Sequence, residues 1–318
     1  MSSGSEMKVR VTDVSLVASD VKRFRLEPVS GSLPPFSAGS HIVVSMFAEN
    51  RRIRNPYSLM GVDEPSHYEI SVLKTVNSRG GSVFMHERVH EGTELLISQP
   101  VNLFPVNLGG RKHILVAGGI GITPLITMAH QLASLNLPFQ LHYAMRSRDR
   151  GAYAESLKAT FQDRVTLYRD DEGSFIPIDA LLQNQPLGSH LYVCGPEGMI
   201  NGVLDAAIAV GWPKESLHAE RFLAPPSGMP FTVRLERSGV TIRVDEHKSV
   251  LEAVEAAGIE APYLCRGGAC GQCETQVVSF NGELVHNDNY LDPEVRKSGN
   301  KMMICVSRLN GSELTLDL

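Results

Sequence analysis

Four of the five cysteines in this 318-residue chain form one pattern. Cys265, Cys270 and Cys273 are spaced C-x4-C-x2-C, and Cys305 follows far downstream. This is a known [2Fe–2S] ligand spacing. Iron–sulfur clusters need soft thiolate ligands, and here three of them would reach the cluster from one tight loop. Gly267, Gly268 and Gly271 are expected to turn that loop through positive φ and to bring backbone N–H groups near the sulfurs. The rival readings are a four-cysteine zinc site and buried structural cysteines. Structural zinc usually takes two C-x2–4-C pairs, whereas Cys305 has no near partner in the sequence.

A second kind of chemistry is written in glycines. Gly118-Gly119-Ile120-Gly121 lies between the apolar run His113–Ala117 and a helix-like stretch. Glycines there let a pyrophosphate approach the backbone, and the helix N-terminus offers N–H groups and positive potential. The spacing is not G-x-G-x-x-G, so a plain strand-to-helix turn is an equal reading. Cys194-Gly195-Pro196-Glu197-Gly198 ends a later strand of the same pattern, with Pro196 expected in the first helical turn. Two Gly-rich strand ends support one ligand site, because ligands bind at the carboxyl ends of such strands.

Arg79-Gly80-Gly81-Ser82 precedes a short helix and reads either as a phosphate cradle or as an ordinary loop. Asn55-Pro56-Tyr57-Ser58 follows Arg51, Arg52 and Arg54, a cluster more often found as a solvated face. The eleven histidines show no metal-ligand spacing, and Cys194 reads as a small buried hydrophobe.

The elements that must hold these residues fall into three blocks. Residues 7 to about 106 alternate apolar and polar in short runs between turn residues, the pattern of a small antiparallel barrel. From Arg111 a continuous apolar run, then alternating helix and strand patterns, predict an open α/β sheet. Ala224–Pro230 reads as a linker. Beyond it a hairpin through Ser238-Gly239, a helix opened by the capping box Ser249–Glu252 and further strands enclose the cysteine loop. With 42% hydrophobic and 20% charged residues, the composition is that of a soluble globular protein. A net charge of −5 argues against general binding to nucleic acid or an anionic membrane. No apolar run reaches membrane-spanning length, and the start MSSGSEMKVR lacks the apolar core of a signal peptide. Thiolate ligands in such a chain point to the reducing cytoplasm.

These motifs, in this order, resemble the reductase components of Rieske-type aromatic-ring oxygenases. The phthalate dioxygenase reductase group is the nearest, with its vanillate demethylase and carnitine monooxygenase members. The resemblance covers nearly the whole chain. It implies an FMN-binding β-barrel over 7–108, an NAD-binding α/β domain over 109–224 and a β-grasp, plant-type ferredoxin domain over 231–318. Tyr57, Ser58 and Leu59 match the family's flavin motif R-x-Y-S-L. Asn55 stands where the family arginine would, as in the carnitine-type members. Arg54 is adjacent but on a strand would face the other way. Val72, Leu73 and Lys74, with Gly80, Gly81 and Ser82, match the rest of the FMN site. Thr123 matches the threonine near the flavin ring, and Phe222 the terminal aromatic of the nicotinamide domain. Gly118, Gly119 and Gly121, with Cys194, Gly195, Pro196 and Glu197, match the NADH site, and Arg146 and Ser147 its adenosine end.

The implied partner is a separate Rieske-type terminal oxygenase, and the implied state is a monomer. NADH is implied over NADPH, although Arg146, Arg148 and Arg150 offer a place for a 2′-phosphate. No side chain need act as a general acid or base. NADH delivers two electrons as hydride, the cluster accepts one at a time, and flavin stands between them because it handles both. Two other readings stay open. One is an FAD-containing reductase of a di-iron monooxygenase, although those more often carry the ferredoxin first. The other is a non-catalytic carrier or zinc-stapled binding module. The purified protein is expected to show flavin and iron–sulfur absorption and to release a flavin with the mass of FMN. FAD would favour the di-iron reading, and a colourless protein would sink both enzymatic ones.

Overall fold

The computed structural model describes residues 6–48, 51–61, 66–76, 78–223 and 227–318. The first five residues, the side chain of Arg51 and residues 224–226 of the expected linker lie outside the described residues. The N-terminal strands are β1 (Met7–Ala18), β2 (Val21–Pro28), β3 (Ser40–Ala48), β4 (Arg51–Ser58) and β5 (Tyr68–Leu73). Helix α1 (Gly81–Arg88) and the short β6 (Glu94–Ile97) and β7 (Val101–Asn102) follow. They form one antiparallel sheet in the order β4-β3-β6-β1-β2-β5, with β7 on β3. A bridge between Met60 and Glu69 brings the chain after β4 against β5, the opposite end of that order, so the sheet curls round on itself. The alternation expected from sequence is realised. Val9, Val11, Phe24 and Leu26 are fully buried in one core with Ile42, Val44 and Met85.

The next block comprises β8 (Lys112–Gly118), α2 (Ile122–Ser134), β9 (Phe139–Met145), α3 (Ala154–Phe161) and β10 (Val165–Arg169). After it come α4 (Ile178–Leu182), β11 (Ser189–Cys194), α5 (Glu197–Ala209) and β12 (Leu217–Glu220). All strands are parallel, in the order β10-β9-β8-β11-β12. The unbroken apolar run of β8 has a simple cause. Leu115 and Ala117 enter one core, and Ile114 and Val116 enter another on the opposite face. Pro196 is not in the first helical turn as expected. Its ψ of 145° is extended, because the chain is still leaving β11, so it forms the N-cap and Glu197 opens α5.

The last strands and helices are β13 (Phe231–Leu235), β14 (Val240–Val244), α6 (Val250–Ala256), β15 (Glu274–Val285), α7 (Pro293–Ser298), β16 (Lys301–Met303) and β17 (Arg308–Leu316). Their mixed sheet runs β14-β13-β17-β15-β16, with β13 and β17 parallel. β15 is longer than the pattern predicts. Its stretch Ser279–Glu283 is exposed throughout, Phe280 included, so no inward-facing alternation marks it, yet β15 pairs with β17 through two register shifts.

The described chain divides into two compact units, Ser5–Arg221 and Phe222–Leu318. No described helix is long and apolar enough to cross a membrane. The predicted capping box is present: Glu252 N–H donates to Ser249 Oγ at 3.1 Å, and Ser249 N–H donates to Glu252 Oε2 at 2.7 Å. α6 packs into the core beside the cysteine loop, so Ser249→Ala is expected to lower the stability of this unit by about 1 kcal/mol. Denaturant titration measures it, and an unchanged midpoint would show that the cap contributes nothing.

Candidate functional site

The loop between α6 and β15 gathers the four cysteines as two pairs. The Cys265 thiol contacts that of Cys270, and Cys273 contacts Cys305. Cys265, Cys273 and Cys305 are buried and Cys270 is partly exposed. Among the described residues no three His, Cys, Asp or Glu side chains converge as a single metal ion would require. Two pairs of thiolates suit two irons, so the residues fit a [2Fe–2S] cluster. The Cys270 thiol and the backbone N–H groups of Gly267, Ala269 and Cys270 lower the Cys265 thiol, while the same thiol contact raises Cys270.

The loop does not turn quite as expected. Positive φ occurs at Gly268 and Gly271 but not at Gly267; Arg266 takes that role, with φ of 54°. A side chain is held there because it is anchored. The buried Arg266 guanidinium forks onto the Glu255 carboxylate of α6 and lies 3.9 Å from the centroid of the Tyr263 ring. Gly268 has no such freedom, since a Cβ there would sit 2.7 Å from Val306 Cγ2.

In the parallel sheet, β9 and β10 lie on one side of β8 and β11 on the other. The order therefore reverses between β8 and β11, and the crevice at their carboxyl ends is where a nucleotide binds in such sheets. The two Gly-rich segments meet there. A Cβ on Gly121 would lie 2.2 Å from Cys194 O, one on Gly118 would lie 2.6 Å from Met199 Sδ, and one on Gly195 would lie 3.0 Å from Gly118 Cα. These three glycines thus let two strand ends pack backbone to backbone. Gly119, with φ of 53°, and Gly198 have nothing within 4 Å of a built Cβ and face open space. Pro196 and Glu197 begin α5 beside Gly119.

Arg146 and Ser147 follow β9, and Arg146 is exposed. Arg148 pairs with Glu155 at 3.2 Å and Arg150 with Asp20 at 3.0 Å, so two of the three arginines open to a 2′-phosphate are already engaged. Cys194 is fully buried, and burial, then the nearby Glu220, pushes its thiol well up, as befits an inert sulfur. Glu220 is its register neighbour on β12. The Glu220 residue keeps some exposed surface, but its Oε2 is sealed from solvent with no hydrogen-bond partner among the described residues. Burial raises its carboxyl to about 8. The sequence marks Glu220 only as part of Glu220-Arg221-Phe222; nothing local announces a titrating group.

In the antiparallel sheet, β4 puts Asn55 and Tyr57 on one face, with Asn55 Nδ2 donating to Tyr57 Oη at 3.4 Å. Burial raises the Tyr57 hydroxyl to about 12. A Cβ on Gly81 would lie 2.1 Å from Asn55 Nδ2, so Asn55 packs directly on the start of α1, whose N-cap is Gly80. Ser82 Oγ lies 2.9 Å from Ser78 Oγ and 3.0 Å from Thr75 Oγ1. Val72 O faces His86 Nε2 at 2.8 Å, Leu73 is half-buried, and Lys74 pairs with Glu87 at 2.8 Å. Ser58 is buried and its Oγ has no partner among the described residues, an orphan that the polar edge of a flavin would satisfy. Thr123 is buried in the first turn of α2, where its Oγ1 donates to Ile120 O at 3.0 Å. Phe222 is 47% exposed and belongs to the second compact unit.

A flavin-type antiparallel sheet, a nucleotide-type parallel sheet and a two-pair thiolate loop on one chain define a pyridine-nucleotide-dependent flavin and iron–sulfur oxidoreductase. Two family models match: the N-terminal domain of dimethylamine monooxygenase subunit DmmA-like proteins at residues 95–217, and the 2Fe-2S iron-sulfur cluster binding domain at 233–310. The carnitine monooxygenase reductase subunit of Acinetobacter baumannii is 43% identical over 312 residues, covering 97% of this chain and 96% of its own. The heme-dependent oxidative N-demethylase beta subunit of Ectopseudomonas mendocina is 40% identical, covering 98% and 99%. The solved phthalate dioxygenase reductase superposes with a TM-score of 0.88 at 33% identity, over 99% of this chain and 98% of that one. The chain belongs to this family of oxygenase-system reductases.

Glu220 supplies a pH test. Its carboxyl keeps its proton in the folded chain up to about pH 8, whereas the unfolded chain loses it near 4.5. Between those values the folded state binds more protons, so this group's contribution to stability falls as pH rises. Glu220→Gln is neutral throughout and is expected to gain on the native protein steadily across that window and then level off. Denaturation midpoints measured as a function of pH check it; a difference independent of pH would mean that the carboxyl ionises normally.

Proposed function

We propose that this protein is the reductase component of a two-protein oxygenase system, taking electrons from NADH and passing them to a separate Rieske-type terminal oxygenase. The observation that carries the reading is the coexistence, on one chain, of the switch-point crevice and the two-pair thiolate loop. When bound, NADH, FMN and a [2Fe–2S] cluster supply in turn a two-electron donor, a relay that handles one or two electrons, and a one-electron outlet.

The assignments of residues follow from this reading. Residues 7–108 would bind FMN, 109–224 would bind NADH, and 231–318 would hold the cluster. Asn55, Tyr57, Ser58, Val72, Leu73 and Lys74 would line the flavin. The start of α1 at Gly80, Gly81 and Ser82 would take its phosphate through N–H groups and hydroxyls. Asn55, packed on Gly81, would replace the family arginine as a neutral donor beside that helix start. Thr123 and Phe222 keep their flavin roles on the strength of the resemblance. Gly118, Gly119, Gly121, Cys194, Gly195, Pro196 and Glu197 would line the nicotinamide and pyrophosphate, and Arg146 and Ser147 the adenosine end. The buried neutral Glu220 would give that crevice a proton-bearing wall without a fixed charge. Cys265, Cys270, Cys273 and Cys305 would ligate the cluster. A cytoplasmic monomer is the state proposed.

A second reading concerns only the partner. One full-length relative is named as the beta subunit of a heme-dependent oxidative N-demethylase, and the model matched over 95–217 is named for a dimethylamine monooxygenase subunit. A haem-type terminal oxidase is therefore the alternative recipient of the same electrons.

Cys270→Ser replaces a soft thiolate with a poor ligand and should lose or destabilise the cluster. The variant is expected to bind flavin and to be reduced by NADH in stopped-flow absorbance, yet to fail to support its oxygenase. Turnover of the oxygenase at the native rate would show that flavin alone feeds it. Supplying purified Rieske and haem oxygenases in turn decides between the two partners.

A further inference from the structure

Tyr153 stands out among the described residues. It has a φ of 62° at the N-cap of α3, a left-handed conformation in which a bulky side chain is a true outlier. Glycine would take that backbone without strain, and such outliers persist only where the surroundings over-determine them. Here the surroundings do so from two sides. The ring packs against the core of the parallel sheet. The Tyr153 hydroxyl then leaves that sheet altogether and meets Ser71 Oγ, at 2.6 Å, on β5 of the antiparallel sheet. Ser71 is itself buried and immediately precedes Val72, Leu73 and Lys74.

The same loop is tied to the same strand by a second route. Asp149 O accepts from Ser19 N–H at 2.9 Å, and Arg150 donates to Asp20 Oδ2 at 3.0 Å. Asp20 O in turn accepts the N–H of Lys74 at 2.8 Å. All of these residues belong to the one compact unit Ser5–Arg221. The loop from Arg146 to Tyr153, which follows β9 at the nucleotide crevice, is thus held at its far end directly on β5, the strand assigned to the flavin, and at its middle, through Ser19 and Asp20, to Lys74 at the end of that strand.

We infer that Tyr153, through its hydroxyl bond to Ser71, is a positioning residue that couples the nucleotide-binding loop to β5 and so holds the hydride donor in register with the flavin. This deepens the proposed function and rests on it. A hydride moves only over a short, aligned distance, and small misplacements cost far more in rate than in binding. A bond whose one partner lies on the flavin strand and whose other partner caps a helix of the nucleotide domain acts on that distance. It touches neither ligand.

Tyr153→Phe removes the hydroxyl alone, and Ser71→Ala removes its partner. In the flavin-loaded protein each variant is expected to be reduced by saturating NADH about tenfold more slowly, with the affinity for NAD⁺ little changed. The double variant should be no slower than either single one, because both remove the same bond. A readout apart from activity is hydrogen exchange of the β5 amides. NAD⁺ should protect them in the native protein and fail to do so in either variant, and Ser71→Ala serves alone if Tyr153→Phe folds poorly. Native reduction rates, or NAD⁺ protection of β5 undiminished in the variants, would overturn the inference. If NAD⁺ does not bind the native protein at all, the proposed function itself fails.

Discussion

The close approach of two strand ends is the constraint on which the nucleotide half of this protein depends. β8 and β11 emerge side by side, and their continuing chains touch backbone to backbone at Gly118, Gly121 and Gly195. A methyl group at Gly121 would overlap the Cys194 carbonyl at 2.2 Å, a contact that only a shift of backbone would relieve. That contact keeps β11 beside β8 through the end of both strands, with α2 following one and α5 the other. Thr123 in the first turn of α2, Glu197 in the first turn of α5 and Glu220 one strand further on are all placed as a consequence. Of the glycines that look like a ligand-binding signature, Gly118, Gly121 and Gly195 are first a packing requirement, whereas Gly119 and Gly198 have open space before them.

The cysteine loop follows a different logic. Its shape comes from charge and anchoring more than from missing side chains. Arg266 takes a left-handed conformation because Glu255 and the face of Tyr263 hold its guanidinium, and α6 is held in turn by the cap at Ser249. Behind the loop the buried Asp288 accepts from the N–H groups of Tyr290 and Leu291 and from Arg296, and the N–H of Asn289 reaches Gly268 O. Hydrogen bonds to its carboxylate and the Arg296 charge, working against burial, bring that carboxyl down to about 2. This network braces the chain behind the loop at Gly268.

The two compact units therefore solve complementary problems. One joins its two sheets through a shared core at Ala38, Met60 and Phe104 and through hydrogen bonds such as that of Tyr153 with Ser71, and on the proposed reading it holds two exchangeable ring systems in alignment. The other must hold an inorganic cluster with fixed ligands, and it does so with a rigid loop on a small mixed sheet. A chain that carries both has the parts for turning paired electrons into single ones.

Much of this was legible in the sequence, for physical reasons that are local. The alternation of Val9, Val11, Phe24 and Leu26 predicts one face of a sheet, the unbroken run of β8 predicts a strand covered on both faces, and Ser249–Glu252 predicts a helix start. Each depends on residues within a few positions of one another. Cys265, Cys270 and Cys273 likewise announce their chemistry by spacing. What the sequence alone left undecided depends on partners brought together by the fold. The two-by-two pairing of the thiols shows only once Cys305 is seen against Cys273. The positive φ at Arg266 rather than Gly267 depends on a glutamate of a separate helix. The raised pKa of Glu220 comes from desolvation, which no local pattern records, and the reach of Tyr153 to Ser71 spans 82 positions of chain. Local propensity is encoded in neighbours along the chain; burial, charge pairing and contact between sheets exist only after distant segments have packed.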